Sequence, residues 1–297
     1  MKLIIMGSGT SHGIPVIGCD CNVCTSADEK DKRFRCSAYV VNEENDLTTN
    51  IVLDVGPEFR LQALKYNIKH LDAVFVSHSH ADHCHGLDDL RVFSYKKSNA
   101  NKFIKNRLPL FCNKYTRRDL IFRFSYIFKR KNFGGGIPNL ELIKTEKFNL
   151  NNPVKVGSID VIPIPITHGY LKDSGWVIRT TEKDNKIHAI AYLTDCNYIS
   201  DKSIELIKDS CDILDHLVID GLRKKEHVTH CNFMQALEYA NKICAKHTWI
   251  THISHENKHM EAESYIKDNV NNFSELKKIV SLGGSVSVAY DGLVLET

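Results

Sequence analysis

Between Ser77 and His85 the chain reads Ser-His-Ser-His-Ala-Asp-His-Cys-His, which puts His78, His80, Asp82 and His83 within six residues. Imidazole nitrogens together with a carboxylate suit zinc, manganese or iron at neutral pH. Three histidines and one aspartate are too many for one tetrahedral ion. The spacing points instead to two neighbouring sites on one loop, His78 with His80 and Asp82 with His83. Two divalent ions held close together make a bridging hydroxide available at neutral pH, because coordination lowers the pKa of water to about 7. That is hydrolytic chemistry. A solvated His-rich loop is the plain alternative, and the context speaks against it. The preceding Asp72–Val76 is apolar and β-branched, a buried strand that delivers ligands at its end.

A second group of metal-capable residues is Cys19, Cys21 and Cys24, in C-x-C-x2-C spacing. Three thiols so placed can surround one tetrahedral ion, and thiolates favour zinc. The fourth ligand must come from elsewhere, with Cys36 near at hand and His255 as the other candidate.

Elements able to position these groups follow from the apolar pattern. Strands are expected at residues 2–6, 37–41, 50–54, 108–112, 154–156, 160–166, 176–179, 188–192, 213–219 and 247–250, with two short ones around Tyr290-Asp291-Gly292. Residues 42–49 read as a polar turn. Helices are expected from Pro57, from Gly86, and over 117–129, 201–208 and 232–243. Glycines 134–136 break the pattern after 129 and make a candidate flap. The run Gly7-Ser8-Gly9-Thr10-Ser11-His12-Gly13 lacks dinucleotide-binding spacing and is expected to pack its backbone close under the metals. His168 follows the strand at 160–166 and completes the first metal site. Asp195 follows the strand at 188–192, and His252, after the strand at 247–250, completes the second site.

Composition bounds the class. With 297 residues, 42% hydrophobic and 25% charged, the chain is an ordinary globular protein. No apolar run reaches the ~20 residues a membrane span needs, and Gly7 interrupts the first apolar run too early for a signal peptide. A cytoplasmic location is expected, despite ten cysteines. No repeat or linker appears, so residues 1–297 read as one domain. Net charge is only +3, yet Arg91–Lys131 holds thirteen basic residues against one acid, Asp119. Such a stretch suits an anionic partner or a solvated face.

The order His-x-His-x-Asp-His, then His168, Asp195 and His252, resembles the signature of the metallo-β-lactamase superfamily, and the likeness runs from Gly7 to Gly292. It implies an α/β fold, the αβ/βα sandwich of two mixed sheets flanked by helices. It also implies the ligand set His78, His80, Asp82, His83, His168, Asp195 and His252, with Asp195 bridging both ions and Cys196 as its neighbour in case of a register slip. Asp54 would stand behind a ligand and orient it.

More narrowly, Gly18-Cys19-Asp20-Cys21 with Cys24, Gly86-Leu87 with Arg91, His230, and Thr251-His252-Ile253-Ser254-His255 resemble the phosphoribosyl cyclic phosphate phosphodiesterase family of phosphonate breakdown and its bacterial relatives. That likeness implies a structural zinc on Cys19, Cys21, Cys24 and His255. It further implies two active-site metals, zinc or manganese, and a catalytic pair of Asp82 and His230. In this reading a metal-bridging hydroxide is the nucleophile and His230 the general acid, with His227 as a nearby rival. The expected enzyme is a metal-dependent phosphodiesterase acting on a small phosphate ester, cyclic or open. The alternatives are an RNA or DNA nuclease using residues 91–131, and a non-hydrolytic metal protein of cofactor biosynthesis. No membrane partner is expected, and a homodimer is the open oligomeric alternative. Residues 96–140 are longer and more basic than in the phosphodiesterase family, which bears on the substrate.

Overall fold

The computed structural model describes residues 1–97, 103–129 and 136–297. Lys102, Arg130 and Lys131 of the basic run, and Gly134 and Gly135 of the candidate flap, lie outside the described residues.

The first strands are β1 (Lys2–Gly7), β2 (Ser37–Glu44), β3 (Leu47–Leu53) and β4 (Ala73–Phe75). A short ribbon pairs β5 (Tyr95–Lys97) with β6 (Phe103–Lys105), and β7 (Leu108–Cys112) and β8 (Leu140–Lys144) follow. Then come β9 (Val154–Val156), β10 (Ile159–His168), β11 (Leu171–Thr181) and β12 (Ile187–Leu193). The last are β13 (Ile213–Asp220), β14 (His247–Thr251), β15 (Ser285–Val288) and β16 (Val294–Glu296). One seven-stranded sheet has the order β16-β1-β2-β3-β4-β7-β8, the other β15-β14-β13-β12-β11-β10-β9. Both are mixed. Pairing is antiparallel from β16 to β3 and parallel from β3 to β8. In the second sheet it is antiparallel from β9 to β12 and parallel from β12 to β15. This is the metallo-β-lactamase αβ/βα sandwich.

Alternation along the strands explains the layers, because successive side chains point to opposite faces. Ile190, Tyr192 and Val218 face inward with Leu3, Ile51, Phe75 and Trp176, forming the core between the sheets. Ala191, Leu193, Leu217 and Ile219 face outward, under Phe233, Leu237 and Ala240 of the helix Phe233–Ile243. On the other outer face Met6, Val52, Val74 and Leu110 meet Phe59, Leu87 and Leu120. Phe75 is a hinge point of this packing. Its ring meets Trp176 of the opposite sheet edge-on at 5.2 Å and stacks on Phe111 at 4.9 Å. Fully burying each such ring contributes roughly 1.5–3 kcal/mol. Phe75 thereby fixes the strand end from which the His-rich loop departs.

Several elements differ from expectation. The turn expected over 42–49 is only Asn45-Asp46, both left-handed, because a two-residue hairpin turn keeps the flanking residues paired. The helix expected over 117–129 spans Lys114–Arg123 and Ser125–Phe128, broken at Phe124, while Leu87–Phe93 is a 3-10 segment. Helices His259–Asn269 and Ser274–Ser281 carry no expectation from the sequence. The Gly-rich loop packs beside the second expected metal site, against the residue that follows His252. It pairs with Ile253, through Thr10 N–H to the Ile253 carbonyl at 3.1 Å, and Gly7 closes on the Arg35 carbonyl, where a Cβ would stand 1.9 Å away. No helix among the described residues is long and apolar enough to cross a membrane.

Candidate active site

Carboxyl ends of strands from both sheets gather on one edge of the sandwich, where open α/β sheets place their sites. From the first sheet come Asp54, just after β3, and the loop 77–86 after β4. From the second come His168, the last residue of β10, Asp195 after β12, and His252 after β14. Asp54, Asp195 and His252 are left-handed, with φ of +59°, +51° and +62°. Non-glycine residues held there cost of order 1–3 kcal/mol, which packing elsewhere must offset. Leaving the strand through such a turn brings each side chain into the site.

The His-rich loop is stitched to the end of β3. The Asp54 carboxylate accepts from Ser77 N–H at 2.8 Å and Ser77 Oγ at 2.9 Å, and pairs with His83 Nδ1 at 2.8 Å. Val55 N–H donates to the His83 carbonyl at 2.9 Å. Only glycine fits at position 56, since a Cβ would stand 2.1 Å from the Asp82 carbonyl oxygen.

Two clusters result. His78, His80 and His168 converge in one; Asp82, His83, Asp195 and His252 in the other, each with its ligand atoms within 4.8 Å of one another. Asp195 lies between them. Its Oδ1 is 3.0 Å from His252 Nε2, and its Oδ2 is 3.2 Å from His83 Nε2 and 3.9 Å from His78 Nε2. Asp82 Oδ2 is 3.2 Å from His83 Nε2. The side chains fit cations. Among the described residues His78 Nε2, His83 Nε2 and His252 Nε2 are buried without a hydrogen-bond partner, an expensive state for polar atoms unless an ion takes them. Burial also pushes the pKa of His78, His80 and His168 down, keeping these imidazoles in the neutral form that binds metal.

Carboxylates or a carbonyl face the nitrogen turned away from the cluster in several of the imidazoles, His83 through Asp54 among them. His168 Nδ1 bonds the Thr229 carbonyl at 2.8 Å. His78 Nδ1 stands 3.3 Å from Asp173 Oδ2, and His252 Nδ1 4.0 Å from Asp220 Oδ1. Asp173 and Asp220 carried no expectation. Asp220 ends the apolar strand β13, a signal of the kind that singled out Asp54 and Asp195; Asp173 lies inside β11 and offers none.

His230 belongs to neither main cluster. Its Nδ1 is 2.7 Å from Asp220 Oδ2, and its ring lies 4.5 Å from that of His168 and 4.6 Å from that of His252. Burial opposes its charge, but Asp220 outweighs burial and the imidazole is pushed up to about 9. His227 is exposed, its ring 5.2 Å from His230 and its Nδ1 accepting from Thr229 N–H. Cys196 turns its thiol to the Leu193 carbonyl at 3.8 Å, away from the clusters.

A third convergence brings Cys19, Cys21 and Cys24 around His255 Nδ1, at 3.4, 3.6 and 3.5 Å. The Cys24 backbone N–H helps pull the Cys21 thiol down to about 6, toward the thiolate a metal requires. Cys36, the other candidate for fourth ligand, is buried apart from them, 4.0 Å from Thr251 Oγ1.

The model of the β-lactamase superfamily domain matches residues 49–253. Over 256 residues the chain is 38% identical to an octanoyltransferase of Porphyromonas gingivalis (strain ATCC BAA-308 / W83), covering 86% of this chain and 46% of that one. The chain therefore spans about half the length of that relative. Among solved structures, a new diphosphatase from the PhnP family is 34% identical, with a TM-score of 0.77 over 100% of this chain and 97% of the other. Zinc-bound PqqB from Methylobacterium extorquens is 17% identical, with a TM-score of 0.63 over 100% of both chains, a likeness of fold alone. With the fold, the paired His/Asp clusters and these matches together, the chain belongs to the metallo-β-lactamase superfamily and is related to the PhnP family.

Proposed function

We propose that the chain is a dinuclear phosphodiesterase acting on a small phosphate or diphosphate ester. The observation that carries this reading is the Asp220–His230 pair at 2.7 Å, a supported imidazole set against both clusters yet outside them. His78, His80 and His168 would hold one divalent ion, and Asp82, His83 and His252 the other, with Asp195 shared. Zinc and manganese both suit this nitrogen and oxygen donor set. When bound, such a pair supplies an activated water and neutralises charge on the phosphoryl oxygens. Cys19, Cys21, Cys24 and His255 would hold a structural zinc.

The chain's own residues then divide the work. Asp54, Asp173 and the Thr229 carbonyl orient imidazoles and set their tautomers. His230 holds a proton at neutral pH, with Asp220 stabilising its charge. As water's oxygen bonds to phosphorus and the phosphorus–oxygen ester bond breaks, His230 gives its proton to the departing alkoxide. The relative that acts as a diphosphatase supports phosphate chemistry. All ten cysteines are unpaired, which supports a reducing, cytoplasmic setting.

A second reading rests on the 38% identity to an octanoyltransferase: the same machinery would hydrolyse an acyl ester or thioester. Bis(p-nitrophenyl) phosphate, a cyclic nucleotide, a diphosphate diester, RNA and an octanoyl thioester, each assayed with zinc and with manganese, separate these readings. Turnover of the thioester alone would overturn the phosphodiesterase, and RNA cleavage with steep salt dependence would favour a nuclease.

A further inference from the structure

The helix Lys114–Arg123 ends on the His-rich loop, and both of its contacts fall on one residue. Ser79, buried between His78 and His80, donates its hydroxyl to Asp119 Oδ2 at 2.7 Å. The Ser79 carbonyl accepts from Arg123 Nη1. Asp119 and Arg123 stand one turn apart, the spacing at which opposite charges on a helix ordinarily pair. Here each grips Ser79 instead, and Arg123 has no carboxylate within ion-pair distance among the described residues.

Arg123 is therefore an exposed, unneutralised guanidinium tied by one bond to the loop that carries two metal-cluster histidines. A guanidinium carries five donors in a planar fork suited to phosphate. Among the described residues only one protein acceptor takes any of them. A residue serving only to dock the helix would gain nothing from leaving its charge open.

We infer that Arg123 recognises a second phosphate, the one not attacked, in a substrate whose two phosphates are joined by a bridging oxygen. The inference rests on the phosphoester reading above and deepens it. In the reaction it implies, water's oxygen bonds to one phosphorus and the bridging phosphorus–oxygen bond breaks. The bridging oxygen leaves with the other phosphate, so that one water and one diphosphate diester become two phosphate monoesters. Arg123 would bind the leaving phosphate in substrate and product alike.

The test compares bis(p-nitrophenyl) phosphate, with one phosphate, and symmetrical bis(p-nitrophenyl) diphosphate, with two, followed by phosphorus NMR on the metal-loaded enzyme. Arg123→Ala should raise KM for the diphosphate by roughly 10–100-fold, the worth of a charge-assisted pair, with kcat little changed. The monophosphate diester should be much less affected, metal content should stay whole, and Arg123→Lys should recover part of the loss. Equal losses on both substrates, or a loss tracking missing metal, would reduce Arg123 to a docking residue and overturn the inference. The lysine variant gives the same reading if the alanine variant does not fold. Should the wild type hydrolyse neither phosphate ester, the phosphoester reading itself falls, and this inference with it.

Discussion

The molecule holds two kinds of metal-suited cluster, built in opposite ways. The His/Asp clusters sit at the ends of strands from both sheets, nearly all buried, with the outer nitrogens of His78, His83 and His168 facing Asp173, Asp54 and the Thr229 carbonyl. The Cys/His cluster sits on the long connection between β1 and β2, where the only regular element is the 3-10 turn Glu29–Asp31. Cys19 and Cys21 are partly exposed, and only His255 ties them to the fold. The first arrangement is held whether or not an ion is bound, since sheet packing positions the donors. The second has fewer ties to the sheets, so an ion bound there would help fold the loop. Both meet in one segment, because His252 serves the first and His255 the second.

The largest expected effect tests the shared ligand. Asp195→Ala should reduce activity to background while lowering metal occupancy, read by elemental analysis beside a rate assay. Two tightly held ions with full activity would show that the clusters are not joined through Asp195.

Next comes His230, which separates chemistry from metal binding. His230→Ala should keep full metal content and lose roughly 10²–10⁴-fold in kcat on an ester with a poor alkoxide leaving group. On bis(p-nitrophenyl) phosphate the loss should be much smaller, because p-nitrophenolate departs unprotonated. Equal losses on both would remove the acid role and bring His227 forward.

The contrast between preformed and metal-dependent clusters sharpens with Asp173 and the cysteines. Asp173→Ala should weaken metal binding about 10–100-fold, measured by calorimetric titration of the apoprotein, with the fold intact. Cys21→Ser with Cys24→Ser should instead remove one zinc of three and raise hydrogen exchange across residues 14–28. Zinc retained by that double variant would be evidence against the structural site.

The smallest effect lies at the foot of the Cys loop. Arg33 Nη2 donates to His259 Nδ1 at 3.1 Å, and burial, with Arg33 beside it, pushes the His259 imidazole down to about 4. The folded state thus stays neutral where the unfolded chain, near 6.5, takes a proton. The contribution is whole above pH 6.5 and is lost as pH falls from there toward 4. Its size is about 1–2 kcal/mol after discounting for solvent screening. Denaturant midpoints across that range should fall more steeply for the wild type than for His259→Gln; parallel curves would exclude His259 as the source.

What the sequence by itself determined is local. Alternating apolar runs set the strands, because a side-chain period of two leaves no other way to bury both faces. A histidine or aspartate just past such a run lands at a strand end, so His78, His80, Asp82, His83, His168 and His252 could be read as candidate ligands, with Asp195 added by the family resemblance. Only the tertiary structure decided the partners. Asp173 stands behind His78, Asp220 behind His230, and Asp119 with Arg123 on Ser79, because sheet pairing brings together residues far apart in the chain. That His255 and not Cys36 stands beside the three thiols follows the same way, from where the segment after β14 meets the Cys loop. Spacing along a chain specifies a face or a strand end. Which residue lies across from it depends on packing between elements, and that is written in no local pattern.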